Sequence, residues 1–459
     1  MKQFTKNIHM VGIGGAGMSP LAEALLSRGH RITGSDRVES ASTRHLETLG
    51  IKIQYNHEPA LVKEANLLVY SSAVKEDNPE RVFAAENGIP MIRRAEVLGD
   101  IMRSNFTICV SGTHGKTTTT SLAGSVLSDA GISPTVLVGG MFKTSGSHAI
   151  IGSGGVIVAE ADEYDRSFLA MYPSIAIITN IEADHLDCYK DLSDIKDTFV
   201  QFTERVPFDG AVIACIDDDG VNSVLPRIRR SVITYGINPK ADYRAESINF
   251  ENGLTTFTVF HKNKELGIIT INIPGIHNVK NALAAIAAAL EMGIEFKQIV
   301  KTLSNFHGVK RRFEMIGTVN GVTVVDDYAH HPGEISATLD AAKKFRHGRI
   351  VAVFQPHLYS RTRDFLDQFA QALSAADLVF ITDIYKSREQ PIPGVNAKNI
   401  VDSINTNTNT KTTAFYVNDK NEIAGNLREK TEKGDLVIFM GAGDIWESAY
   451  DFVGVKSDG

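Results

Sequence analysis

Phe106-Thr107-Ile108-Cys109-Val110-Ser111-Gly112-Thr113-His114-Gly115-Lys116-Thr117-Thr118 is the stretch on which the fold turns. An apolar run of strand length stops at glycine, and a threonine-rich run of helix length, residues 116–130, follows within a few positions. A strand that feeds a glycine loop and then a helix opens a βαβ unit, and in that setting the loop binds phosphate. Glycines let backbone N–H groups turn inward, and the helix N-terminus adds partial positive charge. Lys116 can then reach the β and γ phosphates and Thr117 can ligate magnesium. Gly112, Thr113, His114, Gly115, Lys116, Thr117 and Thr118 are therefore candidate ATP-binding residues. The loop departs from G-x-x-x-x-G-K-[ST] at Val110, which stands where the first glycine would be.

Working outward, two further strands of the same segment are predicted at 156–161 and 175–179. Each runs into acid: Glu160-Ala161-Asp162-Glu163-Tyr164-Asp165 after the first, Glu182-Ala183-Asp184-His185-Leu186-Asp187 after the second. The C-terminal ends of parallel strands are the mouth of such a sheet, so both clusters are expected beside the loop. The segment closes with an alanine-rich helix near 279–292, ended by Gly293.

The same alternation occurs upstream and downstream. Apolar runs at 8–13, 31–34 and 65–74 alternate with helical stretches such as 19–28, and the pattern restarts with strands at 322–325, 350–354, 378–381 and 436–440. The expected architecture is α/β in three domains. Residues 1–105 form a Rossmann-like domain, 106–313 a central ATP-binding domain on a mainly parallel sheet, and 314–459 a second Rossmann-like domain. The polar run at 405–410 is expected to be a solvated loop.

Gly12-Ile13-Gly14-Gly15-Ala16-Gly17 satisfies G-x-G-x-x-G after a short strand, and Asp36 follows the next strand where a ribose-binding acid would stand. Alone this reads as dinucleotide binding, although any diphosphate can use the same helix N-terminus. In the last segment, Asp326-Asp327-Tyr328-Ala329-His330-His331-Pro332 follows a strand and puts a helix start near Pro332. A structural zinc site there is disfavoured, because adjacent side chains seldom converge on one ion and no cysteine assists.

Bulk properties set the frame. With 459 residues, 43% of them hydrophobic, two or three cores are expected. A net charge of -7 with basic residues dispersed along the chain argues against nucleic acid or an anionic membrane as partner and for small-molecule ligands. Cys109, Cys188 and Cys215 are too few and too scattered for a disulfide framework. Neither a signal peptide nor a membrane-spanning apolar run is found, so the expected location is the cytoplasm. Monomer and homodimer both stay open.

Eight motifs in order carry a resemblance. They are GIGGAGM at 12–18, GTHGKTTT at 112–119, EADEYDRSF at 160–168, NIEADHLD at 180–187, HNVKNALAA at 277–285, GVKRRFE at 308–314, DDYAHHP at 326–332 and FQPHLYSRT at 354–362. In these the chain resembles the Mur ligases, essentially end to end. The shorter loop with Val110 is a point of agreement with that family. The resemblance implies an ATP-dependent ligase of peptidoglycan precursor synthesis, here joining L-alanine to the carboxylate of UDP-N-acetylmuramate through an acyl phosphate. It implies Lys116 as the phosphate lysine, and Thr117, Glu160 and His185 as the groups around two Mg2+ ions. Asn278 resembles an adenine-binding residue and Arg312 an arginine presented to the nucleotide phosphates. Gly14, Gly15, Ala16 and Gly17 would hold the UDP part with Ser71 lining its pocket, while Asp36 either orients the loop or contacts uridine. Tyr328, His330, His357 and Arg361 would face the acyl phosphate and amino acid, with Lys116, His185, His330 and Arg361 as the catalytic set. Leu358 stands where many relatives carry arginine, so one anion contact is either missing or supplied by Lys386 or Arg388.

Overall fold

The computed structural model describes residues 6–142, 147–185, 188–251, 253–345, 348–387 and 389–455. Three sheets follow one another along the chain. The first is wholly parallel, in the spatial order Lys52–Gln54, Arg31–Ser35, Asn7–Val11, Leu67–Tyr70, Met91–Arg93. Strand order reverses between Asn7–Val11 and Leu67–Tyr70. The crevice of a doubly wound sheet therefore opens where Gly12 and Ser71 leave those strands.

The middle sheet has ten strands. Its centre runs parallel through Ser231–Gly236, Ala211–Cys215, Ile175–Ile178, Phe106–Ser111, Val156–Glu160 and Thr135–Leu137. All four residues of Ile175–Ile178 are buried, as a strand covered on both faces requires. The helix Lys116–Asp129 lies against the alanine-rich Ile276–Glu291, and the latter ends two residues before Gly293 at φ +79. One edge continues as an antiparallel meander, Tyr243–Glu251, Leu254–His261 and Lys264–Ile271, which the reading of a mainly parallel sheet did not foresee. Its trace was a two-residue alternation, for Thr255, Phe257 and Val259 are buried with partly exposed residues between them.

The third sheet runs Glu314–Val319, Val322–Asp327, Leu436–Met440, Ile350–Phe354, Leu378–Thr382, Thr413–Val417, with the first pair antiparallel and the rest parallel. The polar run at 405–410 is not wholly a loop. It begins inside the helix Lys398–Thr406, where Asn405 exchanges hydrogen bonds of 2.9 Å with the backbone of Ala414.

The units are joined differently. The first shares one buried cluster with a face of the middle sheet, since Leu98 and Met102 of the helix Arg94–Met102 belong to the same cluster as Phe168 and Met171. The link to the third unit is a strained turn, with Arg311 at φ +60 and Phe313 at φ +47. No described helix is long and apolar enough to cross a membrane.

Candidate active site

Parallel pairing of Phe106–Ser111 with Ile175–Ile178 sets Ser111 beside Ile178, so the glycine loop and the second acidic segment leave the sheet together. They are laced to each other. His114 donates its backbone N–H to Asn180 Oδ1 at 2.7 Å, Asn180 Nδ2 donates to the His114 carbonyl at 3.0 Å, and Glu182 N–H donates to Thr113 Oγ1 at 2.9 Å. Gly115 caps the helix at φ +84, and a Cβ there would come within 2.6 Å of Asn281 Oδ1, so both backbone and space require glycine. Lys116 Nζ folds back onto the Gly112 and Thr113 carbonyls at 2.6 and 3.2 Å and onto both Glu163 oxygens at 2.9 and 3.1 Å. Burial opposes its charge, but Glu163 outweighs burial and holds the amine above its ordinary pKa.

The acidic groups form two sets. Glu160 accepts from Gly139 N–H at 2.8 Å and stands beside Thr117. Asp162, Glu163 and His185 place one ligand atom each within 4.8 Å of one another. His185 sits at φ +55, edge-on to Tyr164, with Nε2 at 3.7 Å from Glu163. Burial pushes both Glu160 and Glu163 above the ordinary carboxylate pKa. Hard oxygen donors held against such a desolvation penalty fit a dication, which would relieve it. The structure thus gathers Thr117 with Glu160 and places His185 with Glu163, a residue the sequence reading quoted but did not choose.

His114 does more than lend its backbone. Its ring lies between Glu182, at 3.4 Å from Nε2, and Glu334, at 3.3 Å from Nδ1, and packs against the His331 ring at 5.0 Å. Burial disfavours its charge, yet Glu334 and Glu182 raise its pKa to about 10. Burial and then the neighbouring His114 lower His331 to about 4. Glu334 was legible in principle, because it is the third residue of the helix Pro332–Lys344 and closes a capping box with His331.

The third unit supplies the far wall. His330 Nδ1 is fixed by the Tyr328 carbonyl at 3.0 Å and by Glu334 at 3.1 Å, and its ring meets those of Tyr328 and His357 edge-on. His357 stacks on Tyr385. Tyr328, His330 and His357 border a cavity of about 340 Å³ that also reaches Leu358 and Arg361. Arg361 borders this cavity and also reaches the middle unit, where Nη2 donates to Asp184 at 3.0 Å with both side chains about nine-tenths buried. Burial works against the Asp184 anion, and Arg361 nevertheless holds its carboxyl well below the usual range. Leu358 is buried at φ +72, without a charge to offer. Lys386 is exposed and outside the residues bordering that cavity, and Arg388, like Leu186 and Asp187, lies outside the described residues. Arg312 reaches the loop, with Nη2 at 3.5 Å from Thr117 Oγ1 and its guanidinium over the Tyr328 ring.

In the first unit, Gly14 N–H donates to Asp36 Oδ2 at 2.8 Å, so Asp36 orients the glycine turn. Gly15, Ala16, Gly17 and Ser71 border a cavity of about 290 Å³ together with Arg94, whose guanidinium packs on Gly17. No sequence signal marked Arg94. Asn278 stands in the first turn of the helix Ile276–Glu291 and is 6% exposed. Its Nδ2 donates to the Pro274 carbonyl at 2.7 Å and its Oδ1 accepts from Asn281, so its amide is engaged within the helix start. A third cavity, of about 520 Å³, lies between the loop and Arg312, His330 and Trp446. Asp162 lines all three cavities, which therefore meet at one carboxylate.

Known proteins with this arrangement are numerous. The Mur ligase family catalytic domain matches residues 7–106, the Mur ligase middle domain residues 110–289, and the Mur ligase glutamate ligase domain residues 311–443. The UDP-N-acetylmuramate–L-alanine ligase of Salinibacter ruber is 48% identical over 98% of this chain and 94% of its own. That of Geobacter sulfurreducens is 45% identical over 98% and 97%. The crystal structure of UDP-N-acetylmuramate–alanine ligase MurC from Thermotoga maritima superposes with a TM-score of 0.84 at 31% identity over 98% of both chains. A murein peptide ligase from Psychrobacter arcticus gives 0.72 at 28%, again over 98% of both. The chain belongs to the Mur ligase family.

Proposed function

We propose that the three cavities meeting at Asp162 are the nucleotide, sugar-acid and amino-acid sites of one ligase. The enzyme is an ATP-dependent UDP-N-acetylmuramate–L-alanine ligase of peptidoglycan precursor synthesis. The muramyl carboxylate attacks the γ-phosphorus of ATP and ADP departs. The amine of L-alanine then attacks the acyl carbon, phosphate departs and the amide forms. Residues 1–105 hold the UDP sugar, 106–313 the ATP and 314–459 the amino acid, and the protein works in the cytoplasm.

An anion attacking a polyanion is repelled, so the site must supply positive charge where charge develops. Lys116 and Arg312 do so from opposite walls, and Lys116 leaves Glu163 and the loop carbonyls to meet the phosphates. Two Mg2+ ions, one by Thr117 and Glu160 and one by His185 with Glu163, supply the remaining neutralisation when bound. His330, with Nδ1 anchored, has Nε2 left to contact the acyl phosphate or the incoming amine. Arg361 ties the amino-acid cavity to Asp184 and so to the reaction centre. Packing of the third unit over the loop shields the acyl phosphate from water.

The test is phosphate release with ATP, Mg2+ and UDP-N-acetylmuramate against L-alanine, glycine, L-serine and the muramyl tripeptide. Turnover is expected with L-alanine and to require all co-substrates. Turnover with the tripeptide alone would assign the chain to murein peptide ligation, and silence with every acceptor would overturn the ligase assignment.

A further inference from the structure

Beside the glycine loop, three donor atoms converge on Gly333. The position a Cβ would take on Gly333 lies 3.0 Å from Glu182 Oε2, 3.5 Å from His114 Nε2 and 3.6 Å from His331 Nδ1. The absence of a side chain at Gly333 thus keeps a small space empty at the centre of an imidazole, imidazole, carboxylate triad. We propose that His114, Glu182 and His331 form a binding site for a transition-metal dication of the Zn2+ type, which staples the middle unit to the third.

The donor set is that of zinc and not of magnesium, because two imidazoles and one carboxylate suit a borderline cation, whereas Mg2+ seeks oxygens. The pair His114 Nε2 and Glu182 Oε2 is already at 3.4 Å, the separation expected of two ligands on one tetrahedral ion. All three donors lie within 4.8 Å of one another, so side-chain adjustment alone can bring them to a ligand sphere with bonds of about 2.0–2.1 Å. The second shell is present too. His114 Nδ1 faces Glu334 Oε1 at 3.3 Å, the carboxylate–histidine arrangement that fixes a ligating ring and leaves Nε2 for the metal. His114 is held by ion pairs to the two glutamates, neither of them a well-aligned hydrogen bond, and Nε2 of His331, which is 5% exposed, has no hydrogen-bond partner among the described residues.

The site is reachable from solvent on the Glu182 side, whose side chain is 42% exposed. On binding, His114 gives up its proton to solvent and the dication takes its place beside Glu182. The adjacent pair His330 and His331 does not chelate together: His330 is committed to Tyr328 and Glu334, while the His331 ring packs on His114 of the middle unit and its Nδ1 accepts from Gly333 N–H at a long 3.4 Å, a contact the ion would replace. Because His114 and Glu182 belong to one unit and His331 to the other, the ion would hold the interface closed.

The experiment is a calorimetric titration of the full-length protein with Zn2+ in excess Mg2+, which keeps the oxygen-rich sites occupied, with Co2+ absorption as the probe of imidazole ligation. The variants are His331→Ala, which removes a ligand, and Gly333→Ala, which keeps every ligand and fills the space while suiting a helix. Wild type is expected to bind one Zn2+ equivalent that survives excess Mg2+, and both variants to lose at least tenfold in affinity for it. Should His331→Ala fail to fold, by its circular dichroism, Gly333→Ala decides alone. Absence of that equivalent in wild type, or equal affinity in Gly333→Ala, overturns the proposal.

Discussion

Arg361 and Asp184 form an ion pair of 3.0 Å across two structural units, with both side chains about nine-tenths buried. Such a pair is costly to break, because the surviving charge stays desolvated. Arg361→Ala is therefore expected to lower kcat/KM for L-alanine by at least about a hundredfold, some 3 kcal/mol of lost stabilisation. The decisive comparison is Asp184→Ala with the double variant. If the two residues act as one element, the double variant is no worse than the poorer single one, whereas multiplying effects would return Arg361 to an independent role on the amino-acid carboxylate. Initial rates over a range of L-alanine concentrations measure this.

Lys116→Ala should lower kcat by at least about a thousandfold, the scale for removing a charge aimed at the transition state. The sugar-binding glycines belong to another sheet, so calorimetric affinity for UDP-N-acetylmuramate should stay within about twofold to threefold of wild type. Near-normal turnover would remove Lys116 from the chemistry.

Strand runs and glycine loops were legible in the sequence because burial on both faces and tight turns each restrict composition locally. Ile175–Ile178 and Ile350–Phe354 are apolar throughout for that reason. Pairings across units were not legible. Asp184 and Arg361 are 177 positions apart, and nothing in either local pattern says which carboxylate meets which guanidinium. Glu163 was likewise hidden among four acids, and only the fold shows that its side chain meets Lys116. Arg94 opens a helix whose start would look the same whether or not the side chain faced a ligand cavity. The meander at 243–271 was missed because its alternation is interrupted by register shifts on both sides of the Leu254–His261 strand.

Gly115→Ala separates loop geometry from loop composition. It imposes a left-handed backbone at φ +84 on a residue with Cβ and drives that Cβ to 2.6 Å from Asn281 Oδ1. ATP affinity, followed through the lone tryptophan, Trp446, on the cavity wall, should fall by at least about tenfold, which is 1.4 kcal/mol. Gly131→Ala is the control, with a similar φ of +80 but open space around it, and should cost stability of about 1 kcal/mol without changing ATP affinity. Equal effects at the two positions would show that the Asn281 contact is irrelevant.

Asp326 should make the third unit less stable as pH rises. It is 1% exposed, its Oδ2 accepts from Arg311 Nε at 3.2 Å, and its Oδ1 has no hydrogen-bond partner among the described residues. Burial raises its pKa to about 7, with Arg311 offsetting part of the effect. The unfolded chain ionises near 3.9, so between about pH 4 and 7 the folded state binds the extra proton. Stability from this group is therefore greatest in acid, declines through that window and is level above it. Asp326→Asn cannot ionise and should lack this component. Relative to wild type it should gain about 2–3 kcal/mol between pH 5 and 8, at 1.36 kcal/mol per pH unit. Urea unfolding read by Trp446, which reports the third unit, measures the difference while titrations common to both proteins cancel. The same pH dependence in both proteins would mean that Asp326 stays ionised in the fold and that Arg311 more than compensates its burial.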